Sequence, residues 1–393
     1  MFTTSRRLKE SSLLLINLTN HIWQKMKFAE INKFTYIIGN NGSGKSRALE
    51  ENAERLSESR DVVVIASGVS DKFKFRSQIK KTANGSYRYL GNRTVGNGTH
   101  NGTLAANAVM LYLAILDTDL CPALMKFLEE IGFEGKFGIS YRKTKFSKMQ
   151  SFDTQELTSD FAAVNKEMLA AKERPFEAVF YKNDTPYPFS YLSSGEQYII
   201  TTALKIVTSI KGEVCYFIDE PEVSLHVEWQ VKWPELFHPL LSLKDDVNCY
   251  IATHSPVIIS SALQTGADCY NLSNGELFKI MDNEFNVERV LYKNFNTLPP
   301  DNKYIFEELA TIVTKTIENL TSENITKAKY DSAATSTLAS VESFKTKLKF
   351  ASYTEKDSED IKRTLEDFDM AIKDLIAMSK HSGMTANLHG ETE

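Results

Sequence analysis

Gly39-Asn40-Asn41-Gly42-Ser43-Gly44-Lys45-Ser46 decides the fold. Its spacing is G-x-x-x-x-G-K-[ST], and it stands between the apolar run Thr35-Tyr36-Ile37-Ile38 and the charged amphipathic stretch Ser46–Ser57. A strand that turns through glycines into a helix can curl its backbone N–H groups around an anion, and the helix dipole favours negative charge there. The octapeptide therefore predicts a phosphate loop, with Gly39 through Ser46 as its wall. Lys45 is expected to reach the β- and γ-phosphates of ATP, and the Ser46 hydroxyl to ligate Mg²⁺.

Outward from the loop, short apolar runs alternate with helical patterns, which predicts an α/β core. Strands are expected at Ser11–Leu18, Lys33–Ile38, Asp61–Ala66, Val214–Ile218 and Val247–Ala252, with Asp268–Leu277 as an edge strand and turn. Helices are expected at Ala105–Leu116, Pro122–Ile131 and Ser194–Ile210. Residues 84–103, rich in Gly, Asn and Thr, read as a long irregular loop. The stretch 139–190 mixes charges with aromatics and gives no clear period. Beyond Pro299-Pro300, Lys, Glu, Thr and Ala recur at helical spacing as far as residue 380, which predicts three or four helices. These patterns divide the chain into an ATPase domain, 1–298, and a helical C-terminal region, 299–393.

Composition narrows the class. Of 393 residues, 42% are hydrophobic and 25% charged, which argues against disorder. The net charge of -5 argues against wholesale coating of nucleic acid. Cys121, Cys215, Cys249 and Cys269 are scattered without CxxC spacing, so they read as core residues in a reducing cytoplasm rather than as a disulfide or zinc framework. No apolar stretch reaches the length of a membrane helix, and Arg6-Arg7 before Leu13 to Leu18 reads as the approach to a strand rather than a secretion signal.

Three further motifs follow in order. Val214-Cys215-Tyr216-Phe217-Ile218-Asp219-Glu220 is an apolar strand ending in two acids. Asp219 there would hold Mg²⁺ through water, and Glu220 would orient or deprotonate the attacking water. Leu192-Ser193-Ser194-Gly195-Glu196-Gln197 opens a helix upstream, a second candidate anion site. Ile251-Ala252-Thr253-His254-Ser255-Pro256 places a histidine just past a buried strand.

Together these motifs resemble those of ABC ATPases, over roughly residues 10–280. The Leu192–Glu196 stretch looks like the signature motif in the form seen in the SMC-like and overcoming-lysogenisation-defect branches. The resemblance implies that Ser193, Ser194, Gly195 and Glu196 belong to the nucleotide site, Ser193 and Gly195 meeting the γ-phosphate held by a second protomer. It likewise implies that His254 senses the γ-phosphate. Asp219-Glu220-Pro221-Glu222-Val223-Ser224-Leu225-His226 is similar to the D-E-P-E-x-x-L-H form of the same branch. Transporters tend to carry aspartate where His226 stands, a departure that points away from transport. A glutamine is expected at the metal and attacking water, and Gln78 is the candidate for that position.

Lys72-Phe73-Lys74-Phe75-Arg76 alternates cations with aromatics, Lys80-Lys81 follow, and Arg142, Lys143, Lys145 and Lys148 form a second cluster. A strand over residues 72–76 would put three cations on one face, a solvated edge or a track for nucleic acid. Asp367-Phe368-Asp369 resembles part of a nuclease acid pattern but has no flanking strand, and reads as a helix surface.

The sequence thus predicts an ABC-type α/β P-loop ATPase head with a helical C-terminal appendage, closing as a homodimer through ATP and Mg²⁺. Its motifs resemble the stand-alone ATPase subunits of Septu-like and retron-associated antiphage systems, which implies a separate nuclease or toxin effector as partner. Nucleic acid stays open as a partner. An SMC-like repair ATPase acting on DNA is the alternative reading, opposed by the lack of sustained heptads between phosphate loop and signature.

Overall fold

The computed structural model describes residues 33–68, 73–74, 76, 78–91, 101–141, 154–170, 176–210, 212–244, 246–281, 286–299, 303–320, 326–349, 351 and 355–387. They fall into two compact units, residues 1–285 and 286–393.

The first unit is built on an eight-stranded, largely parallel sheet. Its strands are β1 (Phe34–Ile38), β2 (Asp61–Ala66), β3 (Lys80–Lys81), β4 (Ser86–Tyr89), β9 (Val214–Asp219), β10 (Val247–Ala252), β11 (Asp268–Ser273) and β12 (Glu276–Ile280). The spatial order is β12-β11-β1-β10-β9-β2-β4-β3. Only the outer pairs, β11 with β12 and β3 with β4, are antiparallel. Val62, Val64, Ile65, Cys215, Tyr216, Phe217, Ile218 and Ile251 are at most 1% exposed. Strands covered on both faces carry continuous apolar runs, which is why DVVVIA and VCYFI are legible without alternation.

Register aligns the strand ends that carry the chemistry. Ile37 pairs with Ala252, and Ala252 with Asp219. The segments leaving β1, β10 and β9 therefore emerge side by side at the carboxyl edge of the sheet, where open α/β sheets bind ligands.

A second, antiparallel sheet has the order β6-β5-β7-β8, from β5 (Phe137–Tyr141), β6 (Thr154–Glu156), β7 (Phe176–Lys182) and β8 (Thr185–Pro188). Asn183 and Asp184, at φ +51° and +56°, turn β7 into β8. Two left-handed residues match the twist of a tight hairpin.

Eight α-helices of the described first unit complete it: α1 (Lys45–Leu56), α2 (Asn101–Leu113), α3 (Cys121–Glu130), α4 (Ser159–Val164), α5 (Lys166–Ala170), α6 (Ser194–Val207), α7 (Val227–Leu241) and α8 (Pro256–Gln264). The second unit holds α9 (Val287–Phe295), α10 (Tyr304–Leu320), α11 (Lys327–Leu348) and α12 (Glu355–Asn387). Its core joins Tyr292 and Leu298 to Tyr304, Ile305, Leu309, Phe344, Leu348 and Ile361. Among the described residues no helix is long and apolar enough to cross a membrane.

Several sequence expectations need correction. The supposed loop 84–103 contains β4, because Tyr87 and Tyr89 turn inward while Ser86 and Arg88 alternate with them. That short period was hidden by flanking glycines and asparagines. The unassigned stretch 139–190 supplies most of the antiparallel sheet. No strand covers Phe73, Lys74 or Arg76. Instead Phe73 is buried, and Lys74 and Arg76 approach Glu54 of α1 at 2.5 and 3.9 Å. Lys80 similarly lies 3.5 Å from Glu58. Ser11–Leu18, Lys72, Phe75 and the cluster Arg142, Lys143, Lys145 and Lys148 lie outside the described residues. Asp369 sits on α12 between Lys345 and Lys373, at 2.8 and 2.7 Å, as a helix surface would.

Candidate nucleotide-binding site

The loop between β1 and α1 has the geometry its glycines allow. Gly42 and Gly44 adopt φ of +80° and +98°, where an L side chain is strained. At Gly39 the demand is space: a Cβ there would lie 2.5 Å from the Leu272 carbonyl oxygen. Asn40, Asn41 and Gly42 are exposed at the crest of the loop. Ser43 donates its backbone N–H to the Asn40 carbonyl at 3.1 Å, while its hydroxyl oxygen is buried without a hydrogen-bond partner among the described residues. An orphaned hydroxyl beside a helix N-terminus suits an incoming phosphate oxygen.

Lys45 is 4% exposed. Its ammonium donates to the carbonyls of Gly39 at 2.7 Å and Asn40 at 3.3 Å, and lies 3.3 Å from His254 Nδ1. Burial lowers its pKa to about 8, against the opposing pull of Asp219, Glu222 and Glu220. The charge is therefore held by loop carbonyls that a phosphate could replace.

β9 delivers the acids. Asp219, 3% exposed, accepts from the Ser46 hydroxyl at 3.1 Å. Two hard oxygen donors thus stand together, the donor chemistry that suits Mg²⁺, which completes its shell with phosphate and water. Among the described residues no group of three or more His, Cys, Asp or Glu side chains could hold a metal ion alone.

Glu220 leaves the strand at φ +53°, with its N–H donated to the Ala252 carbonyl at 2.9 Å. For a non-glycine residue that conformation costs energy, and it aims the carboxylate toward His254, whose Nε2 lies 3.8 Å from Glu220 Oε1. Burial, then the nearby Lys45 ammonium, push the His254 pKa down. The imidazole is therefore neutral at physiological pH and able both to donate and to accept.

The Ser193–Glu196 stretch forms a separate helix N-terminus. Ser193 caps α6 in a reciprocal box with Glu196: its Oγ accepts from Glu196 N–H, while Glu196 Oε2 accepts from Ser193 N–H at 2.9 Å. The Ser193 hydroxyl also lies 2.7 Å from that carboxylate, and Lys182 at the end of β7 donates to its other oxygen at 2.7 Å. Burial raises the Glu196 carboxyl, but Lys182 and Ser193 more than offset this and leave it below its ordinary pKa. Ser194 is exposed; Gly195 is buried, and a Cβ on it would meet the Ser224 carbonyl at 3.4 Å. Among the described residues no hydrogen bond joins this helix start to the phosphate loop of the same chain.

The structure therefore gathers Lys45, Ser46, Asp219, Glu220 and His254 into one cluster. It does not bring Gln78 there: this residue is exposed, two positions before the outermost strand β3, with β4 and β2 between β3 and β9. Sequence reasoning passed over Glu222, Thr253 and Lys182. Glu222 was visible only as a letter in a motif, and its bonds to the chain around His254 depend on β9 and β10 being neighbours. Lys182 is tied to Glu196 only by the β7–β8 hairpin.

Residues 126–259 match the family model of an AAA ATPase domain, a span that includes Ser193–Glu196, Asp219–Glu222 and His254. That span is about a third of the chain and is similar to an AAA-type ATPase domain. Protein ea59 of Escherichia phage lambda is 25% identical over 254 residues, covering 57% of this chain and 45% of its own length. The chain accordingly spans less than half of that relative. The solved structure of a metal-chelate type ABC transporter in an inward-facing conformation aligns with 67% of this chain and 77% of its own, at 13% identity and a TM-score of 0.29.

Proposed function

We propose that the protein binds ATP with Mg²⁺ and hydrolyses it to ADP and phosphate. The observation that carries this reading is the convergence of Lys45, Ser46, Asp219, Glu220 and His254 from three adjacent parallel strands. Gly39 through Ser46 hold the phosphates through backbone N–H groups, and Lys45 exchanges its loop carbonyls for β- and γ-phosphate oxygens. Ser46 and Asp219 would hold Mg²⁺, which would supply positive charge to neutralise the phosphates. Glu220 orients the attacking water and accepts its proton, while His254 donates to the γ-phosphate. Positioning and electrostatics supply most of the acceleration in this chemistry.

The exposed Ser193 and Ser194 at the start of α6 support a composite site. In it, the signature of one protomer faces the γ-phosphate held by the phosphate loop of another, and two ATP molecules join a homodimer. ATP then works as a conformational clock: binding closes the pair and hydrolysis reopens it. The overall likeness of its motifs to the stand-alone ATPase subunits of antiphage systems supports a regulatory role over a separate nuclease or toxin. Pairing of Lys74, Arg76 and Lys80 with Glu54 and Glu58 leaves this face less suited to a nucleic-acid backbone.

Phosphate release from the purified protein tests the chemistry. Lys45→Ala should weaken ATP binding and turnover together. Glu220→Gln should bind ATP normally and lose turnover by about a hundredfold or more, the range general-base loss gives. Wild-type turnover in both variants would sink the assignment of this cluster.

A further inference from the structure

The segment Thr253-His254-Ser255 leaves β10 and carries the imidazole between Lys45 and Glu220. Side chains from two other segments fasten it on both sides. The Glu222 carboxylate accepts from the Thr253 hydroxyl at 2.8 Å and from the backbone N–H of His254. Thr253 Oγ1 in turn accepts from Ser255 N–H at 2.9 Å. On the other side, the Ser255 hydroxyl donates to Gln230 Oε1 at 2.6 Å, and Gln230 Nε2 donates to the Leu225 carbonyl at 3.0 Å. His254 thus stands on a backbone tied to the turn after β9 by Glu222 and to α7 by Gln230.

The placement of a carboxylate here is costly. Burial raises the Glu222 pKa, and the donors from His254 and Thr253 only partly offset that rise. Thr253 is fully buried, so its hydroxyl would lose a partner if Glu222 were truncated. Neither Glu222 nor Gln230 has a hydrogen bond to residues 39–46 among the described residues; the Glu222 charge also pulls on Lys45, whereas the neutral Gln230 side chain reaches the site through the segment that carries His254.

We propose that Glu222 and Gln230 are positioning residues for His254: they fix its backbone so that the imidazole keeps its reach to Lys45 and Glu220. This rests on the reading of His254 as the group that meets the γ-phosphate. A reacting group displaced by about 1 Å can lose about a hundredfold in rate while ground-state binding survives. The signature of the proposal is therefore a fall in kcat with little change in KM.

The test compares steady-state ATP turnover of wild type, Glu222→Ala, Glu222→Gln, Gln230→Ala and His254→Ala, with thermal melting to verify folding. Glu222→Ala should lower kcat about tenfold or more, with KM within about twofold. Glu222→Gln can still accept from His254 N–H and donate to Thr253 Oγ1, so it should recover to within about threefold of wild type. Gln230→Ala should fall between the two. If His254→Ala loses turnover while Glu222→Ala and Gln230→Ala keep wild-type kcat, the positioning role is overturned and the site reading stands. If His254→Ala itself turns over normally, the reading of His254 fails and the proposal with it. A raised KM at unchanged kcat in Glu222→Ala would mark it as a binding residue and also overturn the proposal. Should Glu222→Ala not fold, Gln230→Ala decides by the same criteria.

Discussion

His238 shows how one residue links a buried network to the pH range in which the protein is stable. Its ring stacks on Phe34 at a centroid distance of 3.7 Å, and its Nε2 lies 2.8 Å from the Tyr36 hydroxyl under β1. Burial pushes its pKa from 6.5 down to about 4. Between those values the unfolded chain binds the proton and the native chain does not, so stability must fall as pH falls through that window. The slope from this one group is at most about 1.4 kcal/mol per pH unit. Thermal unfolding between pH 7 and pH 4 should therefore steepen below pH 6.5, and His238→Gln should flatten that slope while keeping a group that can bond Tyr36. An unchanged slope in the variant would place the acid sensitivity elsewhere. The same residue-level logic separates what the sequence showed from what it hid. Lys45, Ser46, Asp219 and His254 were legible because each sits beside a strand end within a recognisable pattern. Glu222 was not, because its two partners are about thirty positions away.

Elements were legible where one physical rule dominated them. β2 and β10 fall at their expected bounds, since strands buried on both faces must be apolar throughout. α1 follows from the glycine turn and its charged face. The edge strand read near Asp268 proves to be a hairpin, β11 with β12, turned by Asn274 and Gly275 in left-handed conformations. Harder to read were elements whose identity depends on their partners. β4 has only four residues and finds its partner in β2, twenty-five positions earlier. β5 and β7 pair across a long interval, so neither carries a turn signal that announces the other. Gln78 illustrates a related point. Its place after the DVVVIA strand suggested proximity to the site, whereas β3 lies at the sheet margin. Sequence distance from a motif predicts nearness only along one strand, not across the sheet.

At the scale of the molecule, the exposed start of α6 and the exposed crest of the phosphate loop would each supply one half of the proposed composite site. Glu220→Gln should hold ATP unhydrolysed, so the closed dimer should accumulate. Light scattering coupled to size exclusion should report twice the 44.4 kDa chain mass for this variant with ATP and Mg²⁺, and the single mass with ADP. Ser193→Arg, which puts a bulky cation at the proposed phosphate contact, should abolish the ATP-dependent doubling without lowering the affinity of the phosphate loop for ATP. A monomer under all conditions would remove the sandwich from the mechanism and leave hydrolysis within one chain. The same trapped variant, tagged and recovered from its native host, addresses the regulatory role. A nuclease or toxin captured in fixed stoichiometry by Glu220→Gln, and released when ADP replaces ATP, is the expected result. Recovery of the homodimer with no such effector would detach the ATPase from the regulatory role proposed for it, because a clock that drives a partner must hold that partner in one of its two states.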